Sequence, residues 1–150
     1  MSDLRELYQQ IILDHSRNPH NFRRLPDANH SAQGYNPLCG DKITVDVRVE
    51  DGRITAATFD GSGCAISQAA ASLMTSAVTG KTTDEAEALL NDFHSMVTGT
   101  ADGRLSSTKL GKLAAFAGVR EYPSRVKCAT LCWHTLRAAL EDKDGAVTTE

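Results

Sequence analysis

The chain is poor in aromatics, with one Trp, three Tyr and four Phe in 150 residues, and it has no excess of positive charge. Sixteen Lys and Arg stand against nineteen Asp and Glu, for a net charge of -3. Without a cluster of Lys and Arg interleaved with stacking residues, a nucleic-acid groove is excluded and proteins are the expected partners. No apolar run approaches the roughly 20 residues that span a bilayer, so no membrane is expected. The opening Met1-Ser2-Asp3-Leu4-Arg5-Glu6 is acidic and helix-like, with no apolar core leading to a cleavage site, and the expected location is cytoplasmic. There is no internal repeat, low-complexity tract or linker, so residues 1–150 read as one domain, long enough to bury a core without disulfides. Metal-ligand spacing is also missing from His15, His20, His30, His94 and His134. The absence of H-x-E with P-C-x-x-C speaks against a zinc hydrolase or deaminase.

What the chain does carry is four cysteines. In a reducing compartment these are ligands or reactive thiols rather than disulfides. Cys39 lies in the turn Asn36-Pro37-Leu38-Cys39-Gly40-Asp41, Cys64 in the glycine-rich corner Gly61-Ser62-Gly63-Cys64, and Cys128 just after Arg125-Val126-Lys127. Each setting is expected to expose its ligand. Cys39, Asp41, Cys64 and Cys128 together can make one tetrahedral site of the kind zinc favours, and soft thiolates also suit iron-sulfur clusters. Cys132 lies one helical turn beyond Cys128 between Leu131 and Trp133, and is read as a core residue, with an auxiliary or redox thiol as the alternative.

The order of elements is α+β. Asp3 and Glu6 form a capping box, and Leu4, Leu7, Tyr8, Ile11 and Ile12 recur at helical spacing to His15. Asn18-Pro19 stops that helix, and residues 17–37 read as a loop crossing the surface. Ile43, Val45, Val47 and Val49 alternate with polar residues. Asp51-Gly52 then turns the chain into a second strand with Ile54, Ala56, Thr58 and Phe59. The spacing predicts a helix over 65–78 closed by Gly80, and a second capped by Thr82 and Glu85 and running through Phe93. The stretch from Gly99 to Gly103 reads as a polar break. Beyond it come a short helix capped by Ser106 or Ser107 and ended by Gly118, a last helix from Arg125 to Glu141, and a frayed tail from Asp142.

The partial positive charge of a helix N-terminus favours the thiolate of Cys64. Gly40, Gly61 and Gly63 let the two loops bend tightly about a metal. Lys127 and Arg125 offset the net charge of roughly -2 that three thiolates, one carboxylate and a divalent metal leave. On the residues alone, solvated surface charge is an equal reading of both.

Four segments, Asp14-His15-Ser16-Arg17-Asn18-Pro19, Asn36-Pro37-Leu38-Cys39-Gly40-Asp41, Gly61-Ser62-Gly63-Cys64-Ala65-Ile66-Ser67 and Arg125-Val126-Lys127-Cys128-Ala129-Thr130-Leu131, resemble the SufU branch of the IscU and NifU-type iron-sulfur assembly family, in order and over nearly the whole chain. Two features resemble that branch in particular: Lys127 stands where IscU-type scaffolds carry a metal-binding histidine, and residues 98–124 look like the segment SufU proteins insert before the last motif. The resemblance implies an IscU/SufU-like fold, with a small antiparallel sheet of about three strands packed against four to six helices. It implies a zinc-dependent sulfurtransferase of the SUF system, with zinc on Cys39, Asp41, Cys64 and Cys128. Cys39 would accept persulfide sulfur from a SufS-like cysteine desulfurase and pass it to a SufB-like cluster-assembly protein, with Arg125 engaging the desulfurase. The alternative is a scaffold that assembles a transient [2Fe-2S] cluster on the same ligands.

Overall fold

Asp51 and Gly52 both adopt positive φ, 53° and 76°, as a two-residue hairpin turn requires. They join β2 (Asp41–Glu50) to β3 (Arg53–Ser62) in the computed structural model, which describes residues 2–37, 40–98, 110–141 and 147–148. Ahead of them come α1 (Ser2–Arg17) and β1 (His30–Asn36). After them follow α2 (Ala65–Val78), α3 (Thr83–Thr98), a 3₁₀ helix (Gly111–Glu121), α4 (Pro123–Leu140) and β4 (Val147–Thr148). The fold is α+β: β1, β2 and β3 form an antiparallel sheet, and β4 adds two residues parallel to β1, in the order β3-β2-β1-β4. Among the described residues, no helix is long and apolar enough to cross a membrane.

One face of the sheet is apolar because Ile43, Val45 and Val47 alternate along β2 and all are buried. α4 and α2 cover it, and α1, α3 and the 3₁₀ helix pack around them. Phe93 stacks on Trp133 with centroids 5.2 Å apart and meets Phe116 at 5.8 Å, forming the aromatic centre of the helical layer. The other face is crossed by the segment after α1. There the buried Asp46 accepts hydrogen bonds from the Arg24 guanidinium, Ser31 Oγ and the Leu25 N–H. The same segment bonds to Phe59 through Asn21 and Arg23, which covers the edge of β3.

The capping box expected at Thr82 and Glu85 is present, each side chain bonding the other's backbone N–H. The one proposed at Asp3 rests on a side chain outside the described residues, as do the polar break at 99–103 and the caps at 106 and 107. In α1, Tyr8, Ile11 and Ile12 pack on the core, but Leu7 is 55% exposed. The stripe is completed by His15, whose Nδ1 lies 2.7 Å from Ser72 Oγ, the same oxygen that accepts the His20 N–H. The Ala-Ser face of α2 is therefore a packing surface that holds the motif ending α1.

Three expectations are corrected. Residues 30–36 are a strand rather than loop. The residues β1 turns inward are Ala32, Gly34 and Asn36, so apolar alternation does not mark it. Gly118 lies inside the 3₁₀ helix, which continues to Glu121. The tail does not simply fray, because Val147 and Thr148 pair with Gly34 and Tyr35.

α4 lies antiparallel along β1, and this placement decides the site. Ala139 O accepts from His30 at the start of β1, Thr135 and Leu131 lie against Gly34 in its middle, and Cys128 reaches Asn36 at its end. A Cβ on Gly34 would come within 2.1 Å of Thr135 Oγ1, so the close approach of helix to strand needs a glycine there.

Candidate metal centre

Asp41 opens β2 opposite Asn36, the last residue of β1. The intervening turn closes with the Gly40 N–H donating to Asn36 O at 2.9 Å, and Gly40 has φ +77°. Cys39, in the same connection, lies outside the described residues. At the far end of the β2–β3 hairpin, Gly61 has φ +142°, and a Cβ there would collide with the backbone of Lys42. The chain then delivers Cys64 as the N-cap of α2. Its extended backbone (φ -72°, ψ 172°) lets Sγ accept the Ser67 N–H at 3.4 Å. Its own N–H, outside the helical ladder, donates to Asp41 Oδ1 at 2.9 Å. Cys128 arrives from the opposite side in the second turn of α4.

One donor atom from each of Asp41, Cys64 and Cys128 lies within 4.8 Å of the others. Cys64 Sγ stands 3.7 Å from Asp41 Oδ2. A tetrahedral zinc with bonds of ~2.3 Å to sulfur and ~2.0 Å to oxygen separates the two donors by ~3.5 Å. The Asp41–Cys64 pair therefore stands close to the spacing such an ion needs, with the Cys128 donor within 4.8 Å of both. The expectation that every ligand is exposed is corrected: Cys64 is exposed, but Asp41 and Cys128 are buried. Asp41 begins a central strand, and Cys128 faces β1 under α4.

The charged neighbours occupy separate positions. Arg125 is exposed and its guanidinium lies over the Tyr122 ring at 4.5 Å, while Lys127 is half-buried one residue before Cys128. Cys132 is fully enclosed and donates weakly to Ala129 O, and burial pushes its thiol up far beyond the ordinary range. It serves the core and not the site. Burial, then the charge of His94, lowers His134, and the two rings meet edge to face at 5.6 Å.

Two neighbours of the site were not singled out as site residues by the sequence. Ser67 supplies the N–H that points at Cys64 Sγ, a signal contained only in the i, i+3 relation to an N-cap. Asn36 is 1% exposed and directs Nδ2 at Cys128 Sγ from 3.9 Å. Its only sequence cue is a polar residue before Pro37 at an inward-facing strand position.

A family model for the NifU-like N terminal domain matches residues 7–129. The chain is 40% identical over 141 residues to the iron-sulfur cluster assembly scaffold protein IscU of Streptococcus pyogenes serotype M1, covering 94% of this chain and 87% of that one. It is 37% identical over 144 residues to the zinc-dependent sulfurtransferase SufU of Bacillus subtilis (strain 168), covering 96% of both. A crystal structure from Fervidobacterium islandicum AW-1, described as an iron-sulfur cluster assembly scaffold protein for the SUF system, superposes with a TM-score of 0.81 at 34% identity. That match covers 87% of this chain and 94% of the other.

Proposed function

The chain belongs to the family of NifU-like N terminal domains, and we propose that it is a zinc-dependent sulfurtransferase of iron-sulfur cluster assembly. It takes persulfide sulfur from a SufS-like cysteine desulfurase and hands it to a SufB-like assembly protein. The observation that carries this reading is the convergence of Asp41, Cys64 and Cys128 within 4.8 Å from three separate elements, in a chain 37% identical to a zinc-dependent sulfurtransferase. Cys39, Asp41, Cys64 and Cys128 would hold the metal. Bound zinc would gather these anions and mask the Cys39 thiolate until a partner is present.

Asp41 is the one hard donor among soft ones, and on a bound zinc it would be the ligand most readily exchanged for an imidazole from the partner. Its tether to the Cys64 N–H would keep the carboxylate in place whether or not it binds the metal. Released, the Cys39 thiolate attacks the outer sulfur of the desulfurase Cys–S–SH. One S–S bond forms as another breaks, the desulfurase cysteine leaves as thiolate, and Cys39 carries the persulfide, so no external oxidant or reductant is consumed. Arg125, exposed at the start of α4, engages the desulfurase, and Lys127 offsets the negative charge of the centre.

A second reading is favoured by the 40% identity to a protein named as a scaffold: the same ligands would carry a [2Fe-2S] cluster as cargo. One experiment separates the two. The chain is purified without added metal, zinc and iron are counted, and it is mixed with a cysteine desulfurase and cysteine while alanine and persulfide on Cys39 are followed. One zinc per chain, faster alanine production and labelled Cys39 support the sulfurtransferase. Iron with acid-labile sulfide and no stimulation selects the scaffold, and unimpaired sulfur acceptance by Cys39→Ala removes the mechanism.

A further inference from the structure

Asn36 joins three parts of the candidate centre. Its Cα is the ladder partner of Asp41, its carbonyl oxygen accepts the Gly40 N–H that closes the connection carrying Cys39, and its side-chain amide points at Cys128 Sγ from 3.9 Å. At 1% exposure it is shielded from solvent. A strand terminus facing the core is a costly place for an amide, which in a buried site needs partners for its donors and its acceptor.

We infer that Asn36 is a positioning residue of the metal centre, donating an N–H···S hydrogen bond to the Cys128 thiolate that aims this sulfur at the metal and tempers its negative charge. The inference rests on the metal-binding reading given above. Hydrogen bonds to an ionised acceptor are roughly twice as strong as neutral ones, and losing a group that holds a ligand from behind commonly costs about 10–100-fold in metal affinity. The chemistry also explains the residue type. Aspartate would fit the same space but set a second carboxylate beside a centre already carrying roughly -2, and alanine would remove the donor. Because Asn36 and Asp41 pair across the ladder, the residue also couples the position of Cys128 on α4 to the carboxylate on β2.

The test uses the intact ¹⁵N-labelled chain loaded with ¹¹³Cd²⁺ in place of zinc. The ¹¹³Cd resonance reports whether thiolates bind the ion, and a through-bond correlation between ¹¹³Cd and an Asn36 side-chain amide proton reports the N–H···S bond. Correlation with a thiolate-bound ion is the expected result. A thiolate-bound ion without it overturns the role of Asn36 and leaves the metal reading standing. Cadmium bound without thiolates removes the metal reading and this inference with it. In parallel, Asn36→Asp should bind zinc about 10–100-fold more weakly in chelator competition, with an unchanged circular dichroism spectrum. Wild-type affinity in that variant counts against the inference, and should the variant not fold, the cadmium measurement decides.

Discussion

The Cys64 N–H donates to one oxygen of Asp41 while the Cys64 sulfur stands 3.7 Å from the other. The carboxylate is thus held by one edge and presented by the other. An N-cap N–H needs a partner, and the residue that satisfies it is the candidate oxygen donor of the site. Helix start and candidate ligand shell are therefore one structure, and substitutions here should report on both.

Gly63 tests how tightly that carboxylate is confined. A Cβ at this position would sit 2.9 Å from Asp41 Oδ1 and 3.0 Å from Ser67 Oγ. Gly63→Ala is expected to displace the carboxylate, costing about 1–3 kcal/mol of stability as overpacking does and weakening zinc. Thermal melts with and without a chelator check it; unchanged zinc affinity would show that the carboxylate is free to move.

Asp41→Asn and Asp41→Ala separate tether from charge. Asparagine keeps an oxygen for the Cys64 N–H, whereas alanine leaves that donor without its protein acceptor, at a cost of about 1 kcal/mol. Metal-free Asp41→Asn should therefore melt higher than metal-free Asp41→Ala. Both should retain zinc on thiolates less firmly than wild type and lose desulfurase-dependent sulfur acceptance, as read by chelator competition and persulfide labelling.

Cys132 is expected to be silent in the chemistry. Its thiol is enclosed by the core and held protonated by burial. Cys132→Ala should cost about 1–2 kcal/mol through the small cavity it leaves while sulfur acceptance persists. Alkylation of the native protein should spare Cys132. Rapid labelling, or loss of sulfur transfer in the variant, would contradict the assignment.

Stability should fall with acid in two steps. Burial lowers His15, helped by the charges of His20 and Lys112 against that of Asp14, so the folded state resists its protonation. That contribution is lost as pH drops below about 6.5, where the unfolded chain takes the proton first. His134, lowered mainly by burial, adds to the same step. At Asp46, burial raises the carboxyl, but hydrogen bonds from Arg24, Ser31 and Leu25 together outweigh it and hold the group below the ordinary carboxylate range. Its contribution is present above about pH 4 and disappears as pH falls through the lowered folded value. Melting temperature against pH should show both steps, His15→Gln shrinking the upper and Asp46→Asn the lower.

The alternation of β2, the Asp51-Gly52 turn and the Thr82-Glu85 box are visible in the sequence because each is a local preference, decided within a few residues. β1 is not, because a strand that turns Ala32, Gly34 and Asn36 inward looks polar until α4 is laid against it. His15 likewise reads as a helix-face residue until Ser72 reaches it from 57 positions away.

By itself, the sequence determined which side chains could serve a thiophilic metal: soft thiols and one carboxylate, set beside glycines and helix starts. Only the tertiary structure decided that three of them meet and how deeply. Asp41 and Cys64 are 23 residues apart and Asn36 and Cys128 are 92 apart. Those distances follow from a hairpin register and from α4 lying along β1, where a missing side chain at Gly34 lets the helix approach. Long-range packing is what brings separated donors to one point, buries Asp41 and Cys128, and leaves Cys64 at the surface.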